Sequence, residues 1–130
     1  MNPATRPAAR GVPTPMERFK GRVDRWASRL RSQPREIHVI RMRRKWASCS
    51  ARGRVCFARD LLERTREEQD YVIVHELLHL RHPNHGPVFQ SLMRASLSSD
   101  TRKRASRRLA GTHPSSPHSR VTPIVEKRAL

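Results

Sequence analysis

The chain is short of most features that announce a class. It has only two cysteines, Cys49 and Cys56, too few for a disulfide framework, so the cytoplasm is the expected compartment. No stretch approaches the roughly 18 to 20 consecutive apolar residues that a membrane span needs, and no membrane partner is expected. The opening MNPATRPAARGVPTP has arginines but no apolar run behind them, so it does not read as a secretory signal. Aromatic residues are few (two Trp, one Tyr and three Phe) and suggest no platform for stacking bases. Neither an internal repeat nor a glycine-rich phosphate cradle is visible.

Acidic residues are also scarce, 11 against 28 Lys and Arg, for a net charge of +17. The excess is uneven. Residues 1–45 carry 13 basic and 3 acidic side chains, residues 46–97 carry 7 and 6, and residues 98–130 carry 8 and 2. A nearly neutral middle therefore lies between basic flanks. Such flanks attract nucleic acid, acidic headgroups or an anionic substrate, and they also serve solubility alone. Nucleic acid is thus one candidate partner.

Residues 1–14, with three prolines, read as a disordered leader, and 111–130 as a disordered basic tail. The domain is expected over 15–110. Met16, Phe19, Val23, Trp26 and Leu30 recur at spacings of three and four, which predicts an amphipathic helix over 15–31 ended by Pro34. EIHVIRM (36–42), KWASCS (45–50) and RVCFA (54–58) read as strands of a small antiparallel sheet. If Arg52 and Gly53 form the hairpin loop, Cys49 and Cys56 face each other across it, most simply as small core residues.

Thr65 and Glu68 make a capping box for a helix starting at Arg66. Its run YVIVHELLHL is apolar nearly all round, a pattern for a buried helix, and Pro83 stops it near Arg81. Gly86–Pro87 opens another helix, with Val88, Phe89, Leu92 and Met93 facing the core. Asp100 is the expected cap of a last, basic helix through Leu109. The fold class is α+β.

The chemistry sits in HELLH. His75 and His79, four apart, share one helix face and can converge on one zinc ion, with Glu76 beside them to take a proton from a metal-activated water. Two histidines and a glutamate in an apolar helix are costly to bury without partners. A catalytic zinc takes three protein ligands and keeps one position open. His82 and His85 compete for the third place. On a continuous helix His82 would lie about 10 Å along the axis from His75, too far to share an ion comfortably. His85 follows the break and precedes a helix able to anchor it, so the set His75, His79 and His85 is favoured. Tyr71, one turn before His75, reads as a core aromatic.

HELLHLRHPNHGPVF resembles the active-site segment of the YgjP-like and SprT-like zinc metallopeptidases. KWASCS resembles that family's RWGSCS strand, with Ala47 where glycine is usual, and DTRKRASRRL resembles its C-terminal helix. The longer N-terminal sheet of YgjP-like proteins is missing. The resemblance covers about residues 16–110 and implies a zincin fold. It makes His75, His79 and His85 the zinc ligands and Glu76 the catalytic glutamate of an enzyme acting on peptides or proteins; a monomer is expected. Two rival readings are a zinc hydrolase of nucleotides or other phosphoanhydrides, and a basic nucleic-acid-associated module with a structural metal.

Overall fold

The computed structural model describes residues 12–111. The expected leader up to residue 11 and the tail from residue 112 lie outside the described residues. Thr14, placed at the end of that leader, caps the first helix, α1 (Pro15–Leu30), in a capping box with Glu17. Three strands follow, β1 (Glu36–Ile40), β2 (Ala47–Cys49) and β3 (Arg54–Ala58), then a short 3-10 helix at Arg59–Glu63. The chain continues through α2 (Arg66–His79), α3 (Pro87–Ser96) and α4 (Ser99–Gly111). The fold is α+β, as the pattern of elements suggests.

The sheet is mixed rather than wholly antiparallel. Its order is β1-β3-β2, with β2 antiparallel and β1 parallel to β3. The six residues between β1 and β2 can cross about 10 Å, twice the strand spacing, so β1 and β2 leave a slot that β3 fills.

The hairpin also differs from a two-residue loop. Ser50 and Gly53 close a three-residue turn through the bonds Ser50 N to Arg54 O at 2.9 Å and Gly53 N to Ser50 O at 3.1 Å. The extra residue moves the register by one, pairing Ser48 with Cys56 and Cys49 with Val55. Because neighbouring side chains alternate between faces, the two cysteines fall on opposite sides of the sheet. Both are free thiols.

Helix α2 is the centre of the molecule. Val72, Ile73 and Leu77 join Phe19 and Val23 of α1, Phe57 of β3 and Leu109 of α4 in the main core. Val74 and Leu78 face a second cluster with Phe89, Met93 and Leu97. Two cores on two sides explain why this helix is apolar nearly all round. Phe19 and Phe57 meet edge to face, with centroids 5.0 Å apart.

Polar anchors set the surrounding helices. Trp26 donates its indole N–H to Asp70 Oδ1 at 3.0 Å, fixing α1 on α2. Trp46 donates its own to the Leu109 carbonyl at 3.0 Å, fixing the end of α4 against the sheet. Helix α4 is capped by Ser98, whose hydroxyl accepts the Thr101 N–H at 3.1 Å, and not by Asp100, which lies in the first turn. Ser98, Ser99 and Asp100 are all good capping types, and the turn after Leu97 selects the first. Among the described residues no helix is long and apolar enough to cross a membrane.

Candidate metal centre

Helix α2 carries His75 and His79 on one face, and the chain past its end brings in the third imidazole. After His79 the backbone closes with Leu80, Arg81 and His82 donating to the carbonyls of Leu77 and Leu78. Pro83 then prevents another turn and the chain folds back. His85 arrives directly before α3, where the Gln90 amide donates to its carbonyl at 3.2 Å.

The three rings converge. His75, His79 and His85 each offer a ring nitrogen, and these atoms all lie within 4.8 Å of one another. Nε2 of His79 and Nε2 of His85 are 2.9 Å apart. Phe89 packs against all three, with centroids 5.2, 4.8 and 4.8 Å from His75, His79 and His85. His82 does not join them. It contributes its backbone carbonyl instead, which accepts a bond from Nδ1 of His79 at 3.1 Å. That bond puts the His79 proton on Nδ1 and leaves Nε2 as the ring nitrogen with a lone pair to offer.

His75 provides the test of whether these residues fit a metal. It is 8% exposed, and both its ring nitrogens are buried with no hydrogen-bond partner among the described residues. Such a group costs on the order of 1–3 kcal/mol when left unsatisfied. A cation between the three rings removes that cost at the coordinating nitrogen. Burial, and after it the nearness of His79 and His85, holds the His75 imidazole well below its ordinary 6.5. The ring is therefore neutral, the form a metal ligand requires. Glu76, the next residue on α2, is 1% exposed.

A cleft of about 300 Å³ opens beside the histidines. Tyr71, His75 and His85 line one side, and Arg102, Lys103 and Ser106 of α4 line another. Tyr71, read from the sequence as a core aromatic, packs against both cores and also shares this wall. Sequence reasoning missed the α4 residues, and took Phe89 for core packing alone. The one signal for the α4 wall was the density of cations in DTRKRASRRL.

A model of the YgjP-like metallopeptidase domain matches residues 15–110. The chain belongs to the YgjP-like metallopeptidase family. Two solved structures share its architecture. The metallopeptidase zymogen abylysin of Pyrococcus abyssi is 19% identical with a TM-score of 0.62, over 69% of this chain and 90% of its own. The metallopeptidase zymogen jannalysin of Methanocaldococcus jannaschii is 26% identical with a TM-score of 0.57, over 67% of this chain and 88% of its own. The first likeness is one of fold. No curated protein matches the chain. The three-histidine cluster of this YgjP-like domain therefore sits in a metallopeptidase scaffold.

Proposed function

We propose that this YgjP-like chain is a zinc-dependent peptidase, with His75, His79 and His85 as the zinc ligands and Glu76 as the general base. The observation that carries the reading is the convergence of three imidazoles around His75, whose buried ring nitrogens have no hydrogen-bond partner among the described residues. Three nitrogen ligands with an open fourth position are the donor set of a catalytic zinc site. When bound, the ion supplies Lewis acidity to a reacting water and to the scissile carbonyl.

The chain's own groups do the rest. The His82 carbonyl holds His79 in the tautomer that presents Nε2. Phe89 packs against all three rings and limits how they can turn. Glu76 takes the proton of the attacking water on a carboxylate oxygen and delivers it to the leaving amine. Strand β2 forms one edge of the sheet and an extended substrate pairs along it, held by main-chain bonds that do not depend on sequence.

The test is Glu76→Gln in the full chain, with zinc per chain measured by atomic absorption and cleavage followed on an unstructured protein. Zinc content should be unchanged and turnover should fall by about 10² to 10⁴. Full activity in this variant would refute the general-base role. Phosphate release from nucleotides without peptide cleavage would replace the peptidase reading with a phosphoanhydride hydrolase.

A further inference from the structure

Helix α4 holds five basic residues and one acid, Asp100, and the fold sorts those cations by direction. Arg104 binds Glu67 at 2.7 Å and Arg108 reaches Glu68 at 3.8 Å, so both tie α4 to the start of α2. Arg102 and Lys103 instead line the cleft that contains His75 and His85. No ion pair joins either of them to a carboxylate among the described residues, and no acidic side chain lines the cleft. Arg102 is half-buried and donates from Nε to the Leu97 carbonyl at 3.2 Å, which pins its stem at the cleft wall. Lys103 is exposed.

Two cations on one wall, neither held in an ion pair and with no carboxylate among the residues lining the cleft, make a concave surface that favours anions. An arginine fork matches a carboxylate in particular, because two parallel N–H donors meet two oxygens. At about 300 Å³ the cleft has the size for one side chain or chain end beside the reacting bond.

We propose that Arg102 and Lys103 form a carboxylate subsite, so that the preferred substrate is a peptide with an acidic group close to the bond that is cut. The inference rests on the peptidase reading and names its substrate class. The carboxylate has two sources, an Asp or Glu side chain or the peptide's own C-terminus.

The experiment uses the full chain with zinc and a set of peptides that differ only in having Glu, Ala or Lys at each position around the cleaved bond, each with a free or amidated C-terminus. Binding of the same labelled peptides to the Glu76→Gln protein is read by fluorescence anisotropy. Glu peptides should exceed Ala peptides by about fivefold to tenfold in both kcat/KM and affinity, with Lys peptides lowest. A gain from the free C-terminus that is equal for Glu, Ala and Lys peptides makes the chain end the group recognised, whereas a Glu preference that survives amidation makes it the side chain.

Arg102→Gln should shrink the preference and Lys103→Glu should invert it towards Lys peptides. Arg102→Gln also removes the bond to Leu97, so the exposed Lys103→Glu keeps the test sound should the first variant fold poorly. Cleavage with no charge preference, or a preference untouched by both variants, overturns the subsite and leaves the peptidase reading standing. Charge-ordered binding with no cleavage of any peptide does the reverse.

Discussion

Nε2 of His79, at the last residue of α2, faces Nε2 of His85 at 2.9 Å across the break made by Pro83. Two imidazole nitrogens at that distance need a proton or a cation between them. Zinc should therefore stabilise the metal-free protein, by about 4 kcal/mol at a thousandfold excess over Kd, seen as a rise in Tm. His79→Ala and His85→Ala should lose the ion, while His82→Ala should keep it, because His82 acts through its carbonyl and not its ring. Metal stoichiometry of the three variants decides this. Retention by His85→Ala with loss by His82→Ala would make His82 the ligand.

The buried His75 ring sets a pH dependence in the metal-free protein. Its imidazole is held well below the ordinary 6.5. As pH falls past 6.5 the unfolded chain takes up a proton here and the folded chain does not. The sign follows: this contribution is whole above pH 6.5 and is lost as acid is added, at a slope of up to about 1.4 kcal/mol per pH unit. The exposed Glu36 and Glu67, both lowered from 4.5 by arginine or histidine partners, act only in a more acid range. Urea denaturation of chelated protein between about pH 7.5 and 5 should show the loss, and His75→Gln should flatten it. Equal midpoints across that range in the unmodified chain would contradict the buried neutral ring.

What the sequence disclosed was what local chemistry encodes. The Thr65–Glu68 capping box, the stop before Pro83 and the i, i+4 histidine pair each depend on neighbours within a few residues, and each stands where the pattern puts it. The gathering of His85 with that pair was legible as the favoured of two candidates, since the break and the following helix set it apart from His82. The parallel entry of β1 was not, since nothing in EIHVI states which side of the hairpin it joins. Nor was the hairpin register, which one residue of loop length decides. The basic wall of the cleft was hidden for the same reason: Arg102 shares a cleft with His75 only through the docking of α4 on α2, set in part by Trp46 and Leu109.

Glu68 is a buried junction, and its loss should be felt throughout. The side chain is 2% exposed and accepts from the Thr65 N–H at 3.1 Å and from Arg64 at 2.9 and 3.3 Å. Arg108 of α4 lies 3.8 Å away. Glu68→Ala strips the cap and strands Arg64, which should destabilise by about 3 kcal/mol. Glu68→Gln should cost less, because an amide oxygen still accepts the Thr65 N–H. Denaturant midpoints at constant m measure both, and an Ala variant within about 0.5 kcal/mol of the parent would deny the junction this weight.

Gly53 closes the β2–β3 turn at a φ of +95°, where a side chain is strained whatever room it has. Room is lacking too. A Cβ there would stand 2.9 Å from Cγ of Arg35, whose own N–H donates to the Gly53 carbonyl at 2.8 Å. The turn and the start of β1 are thus held at one point. Gly53→Ala should destabilise by about 1–3 kcal/mol, combining backbone strain with the clash. Removing the Arg35 side chain beyond Cβ relieves only the steric part, so Arg35→Ala should lessen the effect of Gly53→Ala without abolishing it. A double-mutant cycle in urea separates the two contributions. Strict additivity would mean that the Arg35 side chain swings aside freely and that backbone conformation alone makes glycine necessary here.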